Sequence, residues 1–119
     1  MTLEWRGMPS DDAQRALCAR YHADWCETPP QATIGVTRDV TARLVPVSGL
    51  RHAPSEQASG WQLWVGEGEP PADDAFVAMT AAELAEVRPE LLELLGLPPG
   101  WGFRTRGARA DVWNYRECG

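Results

Sequence analysis

The stretch Gly60-Trp61-Gln62-Leu63-Trp64-Val65-Gly66 reads as one β-strand held between two glycines, and it decides the fold class. Side chains alternate across a pleated strand, so Trp61, Leu63 and Val65 share one face while Gln62 and Trp64 share the other. Two further tryptophan clusters follow, Leu97-Pro98-Pro99-Gly100-Trp101-Gly102-Phe103 and Asp111-Val112-Trp113. Six tryptophans in 119 residues is a heavy load of the bulkiest side chain. The alternation assigns Trp61, Trp101 and Trp113 to a core. Trp64 lies on the opposite face, either beneath helices or on an open sheet surface where it would be a partner hot spot.

Outward from this strand, Ile34 to Val47 is rich in β-branched residues and is broken near Thr37-Arg38-Asp39. It reads as a short strand, a turn and a longer strand. Pro46 cannot donate to a ladder, so the longer strand ends there or lies at a sheet edge. Ser48 to Ser59 reads as a long polar loop carrying Arg51 and His52. On the other side, Gly66 to Asp74 combines glycines, prolines and four carboxylates, Glu67, Glu69, Asp73 and Asp74, and reads as an acidic loop.

Thr80-Ala81-Ala82-Glu83 has the spacing of a capping box and starts a helix. Pro89 fits the first turn of a second short helix that runs to Leu95, with Gly96 at its end. Leu84, Val87, Leu91 and Leu94 or Leu95 then form the buried stripe, while Glu83, Glu86, Glu90 and Glu93 share the outer face. Trp101 to Arg106 and Ala110 to Tyr115 form a closing hairpin around Gly107-Ala108-Arg109. At the other end of the chain, Ser10 with Asp11 and Asp12 marks a helix start. Leu17, Tyr21 and Trp25 recur along that helix to about Glu27, and Thr28-Pro29-Pro30 stops it.

These elements imply a small single α+β domain over 1–119, with a mainly antiparallel sheet of four to five strands. An N-terminal helical segment, 1–30, and a central helical segment pack on the sheet, whose core spans 34–115.

Charge and composition narrow the function. Eleven arginines and no lysine stand against 17 acidic residues, for a net charge of -6. A surface of that sign repels nucleic acid and steers a basic protein towards it. The missing lysine removes Schiff-base chemistry and the phosphate-loop amine. Cys18, Cys26 and Cys118 have no metal-binding spacing. Cys18 and Cys26 would stand about 12 Å apart in rise on a continuous helix, too far for a disulfide. Free thiols in a reducing compartment are expected, and with no signal-like or membrane-spanning segment the protein is expected to be cytoplasmic.

Neither histidine is set in a nucleophilic arrangement. His22 points away from the helix stripe, and Ser48 and Ser55 near His52 lack the strained turn of a nucleophile elbow. The loop carboxylates lack calcium-loop spacing. No catalytic residue, metal or cofactor is therefore expected.

The Gly-Trp-x-x-Trp strand, the Asp73-Asp74-Ala75-Phe76 segment, the run Pro89 to Phe103 with Leu-Pro-Pro-Gly-Trp at its end, and the closing Asp-Val-Trp together resemble the immunity protein 33 domain family. The resemblance covers roughly Ile34 to Tyr115. It departs at Leu63, where an aromatic residue is common, and at Val77-Ala78-Met79-Thr80, which stands where relatives carry a histidine-containing segment. The resemblance implies a bacterial protein that neutralises a cognate toxin by binding it without catalysis, in polymorphic-toxin and secretion-system loci.

The expected partner surface comprises Glu67, Glu69, Asp73 and Asp74, extended by Glu83, Glu86 and Glu90, with Trp64, Arg51 and His52 as specific anchors. The alternative is a small-ligand or regulatory module in which tryptophans line an apolar pocket closed by the His52 loop.

Overall fold

A computed structural model describes residues 10–41, 46–55, 58–66, 70–106 and 109–114. Among the described residues the sheet has six strands, one more than the upper expectation: β1 (Thr33–Val36), β2 (Val47–Arg51), β3 (Ala58–Val65), β4 (Val77–Thr80), β5 (Trp101–Arg106) and β6 (Arg109–Asn114). Their spatial order is β4-β1-β3-β2-β5-β6. Strands β1 and β3 run parallel, and the other four neighbouring pairs are antiparallel. The domain is thus α+β with a mixed, mainly antiparallel sheet.

Strand β3 is at the centre of the sheet. Leu63 pairs with Val36 on one side and with Gly49 on the other. Gly60 holds φ +91°, and its position against the His52 carbonyl leaves no room for a Cβ. That carbonyl-bearing residue also donates its own amide to the Gly60 oxygen at 2.7 Å. The glycine therefore permits the close main-chain approach of β3 to His52.

Two sequence expectations fail around β2. The long strand expected up to Val47 begins as a 3-10 turn, Arg38–Thr41, and the strand proper starts after Pro46 rather than ending at it. The supposed polar loop from Ser48 therefore contributes four of the five residues of a central strand, Val47–Arg51. Each polar residue has a structural reason to be there. Ser48 Oγ donates to the Gly66 carbonyl at 2.7 Å, and a Cβ on Gly49 would come within 2.5 Å of the Phe103 ring. Arg51 is satisfied inside the protein, as described below.

Helix α1 spans Ser10–Arg20 and stops about two turns short of the expected Glu27. The stop is a Schellman motif: the Ala23 amide reaches back to the Cys18 carbonyl at 2.9 Å, and the His22 amide reaches the Ala19 carbonyl at 3.3 Å. His22 supplies the left-handed turn with φ +56°, a conformation usually left to glycine. The buried face is Gln14, Leu17 and Cys18. Tyr21 is exposed, and Trp25 lies beyond the helix, where its Nε1 donates to Gln14 Oε1 at 3.1 Å.

Helix α2 (Ala81–Val87) carries the expected capping box, with Thr80 accepting from the Glu83 amide and Glu83 reaching back to the Thr80 amide. Pro89 opens the following 3-10 helix, Pro89–Gly96. Leu84, Leu91, Leu92, Leu94 and Leu95 are buried, but Val87 is exposed. Pro89 resets the helical phase, which turns Val87 away from the stripe.

The core lies between the helices and one sheet face. Leu17 and Cys18 from α1 join Ile34, Val36, Trp61, Leu63, Phe103 and the leucines of 84–97 in one hydrophobic cluster. Trp61 packs on Phe103 with ring centroids 5.5 Å apart. Trp101 is packed against this cluster, whereas Trp113 is half-buried outside it with the Arg104 guanidinium 5.7 Å from its ring. Arginine stacking, not core packing, is what the last tryptophan provides.

Candidate partner-binding site

Arg51 sits at the end of β2, where the alternation of Leu50 and Arg51 turns its side chain towards the helices. It is only 2% exposed. Its Nε donates to the Ser59 carbonyl at 2.9 Å, and Nη1 donates to the carbonyls of Cys26, Leu97 and Leu95 at 2.7, 2.9 and 3.2 Å. Nη2 donates to the Glu27 carbonyl at 3.2 Å. The guanidinium thus ties β3, the 26–27 segment and the end of the 3-10 helix together. Main-chain carbonyls, several at a helix C-terminal end, supply the negative potential. Burial pushes the Arg51 pKa down, and the Cys26 and Cys18 thiols oppose that shift.

This placement corrects the expectation that Arg51 is a partner anchor, because a side chain consumed by internal carbonyls presents nothing to a second protein. Cys18 and Cys26 are free thiols beside this hub. Cys26 lies past the end of α1, so the two thiols are not spaced along one continuous helix. Cys118 lies outside the described residues.

His52 is exposed at the start of the connection after β2, and its Nε2 lies 2.9 Å from Gln62 Oε1. Both belong to the sheet face that the helices leave uncovered. On that face the register aligns Trp64, Ser48, Arg104 and Asp111 across four strands. Arg104 Nε approaches Ser48 Oγ at 3.4 Å. Sequence reasoning passed over Arg104, although the alternation around the core residue Phe103 places it on this face.

Trp64 is only 4% exposed, so of the two positions the alternation left open for it, the open sheet surface does not apply. It is not part of the helix-covered cluster. Trp64 and Val65 line a cleft of about 620 Å³ with Thr37, Arg38, Asp39, Pro71 and Ala75. Phe76 comes from the connection between β3 and β4, and its Cβ lies against Gly35, 3.6 Å from where a glycine Cβ would stand. The Trp64 indole nitrogen and the Thr37 hydroxyl are buried without a hydrogen-bond partner among the described residues.

A second cleft, of about 490 Å³, lies beside Pro54, Ser55, Ser59 and Arg51 at the opposite end of β3. Its lining contains no tryptophan. The cleft lined by Trp64 and the cleft beside the His52 connection thus lie at opposite ends of β3.

Of the expected acidic surface, Asp74 is exposed in the 3-10 turn Asp73–Ala75. Glu67 and Glu69 and the side chain of Asp73 lie outside the described residues. Glu83, Glu86, Glu90 and Glu93 are exposed along α2 and the 3-10 helix, as their spacing predicts. Glu83 is engaged in the capping box and Glu90 pairs with Arg88.

Among the described residues, no group of three or more His, Cys, Asp or Glu could hold a metal ion. No helix among them is long and apolar enough to cross a membrane. The chain matches no curated protein and no solved structure at a significant level. It does match the family model of the Imm33-like domain over residues 13–115. The match starts within α1, so it reaches further than the motif resemblance, which began at Ile34. With a match over most of its length, the chain belongs to the Imm33-like domain family.

Proposed function

We propose that the protein is an immunity protein that binds a cognate toxin directly and blocks it without catalysis. The observation that carries this reading is the Imm33-like match over residues 13–115. The charge balance supports a basic partner: a net charge of -6 with exposed carboxylates at Asp74, Glu86 and Glu93 steers a cationic protein and repels nucleic acid.

The contact surface in this reading draws on the carboxylates Glu67, Glu69, Asp73 and Asp74, with the exposed glutamates of α2 and the 3-10 helix as a further acidic set. His52 serves as a specific anchor on the helix-free face. Arg51 and Trp64 act from beneath, by fixing the strands that carry the surface. The partner is a bacterial toxin acting in the cytoplasm, the compartment suited to free thiols.

Co-expression with the C-terminal toxin domain encoded by the adjacent gene tests this function. Restored growth of the toxin-producing cells and co-purification of the two proteins are the expected results. Continued toxicity without a complex overturns the proposal.

A further inference from the structure

Strand β4 is an edge of the sheet: β1 lies on one side of it, and no described strand lies on the other. The Ala81 amide donates to the Ala32 carbonyl at 3.0 Å, and this bond fixes the phase of the β1–β4 ladder. In an antiparallel pair, successive residues turn their N–H and C=O alternately towards the partner and away from it. With Ala81 bonded to Ala32, the residues that bond to β1 are Met79 and Val77, opposite Ile34 and Val36. The N–H and C=O of Ala78 and Thr80 therefore point out of the sheet edge. The Glu83 carboxylate takes the Thr80 amide at 3.1 Å, so within the strand it is Ala78 that offers an outward N–H and C=O together.

An edge of this kind is a template for a further strand, and proteins usually blunt it with charge, proline or a bulge. The sequence Val77-Ala78-Met79-Thr80 has no charge and no proline, and it keeps a regular register with β1. Val77 and Ala78 are exposed. The opposite edge, β6, carries Arg109 and Asp111. Of the two edges, β4 is the unguarded one.

Charge selects the occupant. From Pro70 to Val87 the chain has four acidic residues, Asp73, Asp74, Glu83 and Glu86, and no basic one. Asp74 before the strand and Glu83 and Glu86 after it are exposed. In the turn after β1, exposed Arg38 is followed by exposed Asp39, which adds no net charge. Two copies of this chain pairing β4 to β4 about a twofold axis would set the Asp74 end of each against the Glu83 end of the other, and like charges disfavour that arrangement at both ends. A strand with cationic side chains at its ends is attracted instead.

We propose that β4 receives an extended segment of the toxin as an added strand, paired through the Ala78 N–H and C=O and flanked by basic side chains that meet Asp74, Glu83 and Glu86. The inference rests on the immunity reading and adds where and how the partner is held.

The test follows amide hydrogen exchange in ¹⁵N-labelled protein, alone and with the toxin domain encoded by the adjacent gene. Alone, the Ala78 amide should exchange faster than those of Val77 and Met79, and in the complex it should slow by about tenfold or more. Ala78→Pro deletes the outward N–H without removing a bond to β1, so the variant should stay folded by circular dichroism while toxin binding weakens about tenfold. Ala78→Ser keeps the N–H and should bind as the wild type.

A complex in which the Ala78 amide exchanges as fast as in the free protein overturns the edge proposal and leaves the immunity reading intact. That measurement uses the wild type, so it decides the matter even if Ala78→Pro does not fold. A folded Ala78→Pro that binds as the wild type overturns the proposal equally. Slow exchange at Ala78 in the protein alone, with a dimer in analytical ultracentrifugation, overturns the toxin segment in favour of a second copy. Absence of any complex overturns the immunity reading itself, and the edge proposal with it.

Discussion

Arg51 and Trp61 face each other across the β2–β3 pair, and both donate to one acceptor, the Leu95 carbonyl, at 3.2 and 2.9 Å. Thr28 Oγ1 reaches the same oxygen at 2.6 Å. One carbonyl at the end of the 3-10 helix is therefore the meeting point of the sheet, the helical layer and the segment after α1. Both side chains are buried, so water cannot replace either donor.

Arg51→Met should accordingly destabilise the protein by about 3 kcal/mol or more, since it strands several buried carbonyls at once. Urea denaturation of the two proteins measures this. The fraction of Arg51→Met that remains folded should bind the toxin with wild-type affinity. A large loss of affinity at unchanged stability would instead make Arg51 a contact residue.

The left-handed His22 that ends α1 predicts a gain. His22→Gly relieves the strain of φ +56° at the Schellman position and should stabilise the fold by about 0.5–1 kcal/mol. Thermal unfolding followed by circular dichroism would show the midpoint rising. A fall would mean that the histidine side chain contributes more than its backbone costs.

Cys18 sets a pH dependence. Burial raises its pKa above the ordinary 9.0, against the opposing pull of Arg51. The folded state thus prefers the neutral thiol, and the stability linked to it is complete below pH 9 and is lost as pH rises through the folded pKa. Denaturant midpoints measured from pH 7 upward should fall above pH 9. Cys18→Ala should flatten that decline, and an equal decline in the variant would assign it to other groups.

Asp74→Lys should slow association with the toxin domain and leave the dissociation rate nearly unchanged, because a charge at the rim acts mainly on encounter. Stopped-flow mixing at low salt measures the difference, which should shrink as salt screens it. Equal association rates would remove Asp74 from the steering surface.

The parts of this fold that could be read from sequence are those fixed by neighbours along the chain. The Gly60–Gly66 alternation, the Thr80–Glu83 capping box and Pro89 at a helix start all act within a few residues. Strand β2 was hidden because its polarity is explained only at a distance. Arg51 looks like a loop residue until the carbonyls of Cys26, Glu27, Leu95 and Leu97 surround it. Gly49 looks like a turn until Phe103 and Leu63 close over it. The end of α1 was misplaced because histidine, not glycine or asparagine, takes the left-handed position. Trp64 could be assigned to the second face by period alone, but its burial there could not.

Helix α1 docks on a surface made near the other end of the chain. Gln14 Nε2 donates to the Leu92 carbonyl and Cys18 Sγ to the Gly96 carbonyl, each 78 residues away in sequence. During synthesis the first helix leaves the ribosome long before its seat exists. Docking therefore comes late and closes one of the longest loops the chain can form, so folding should be slow for a protein of this size. In the immunity reading, a chain protects only after residues 92–96 have been made and α1 has docked on them. The rate of that docking, rather than the rate at which chains are begun, then sets how early protection starts in that reading.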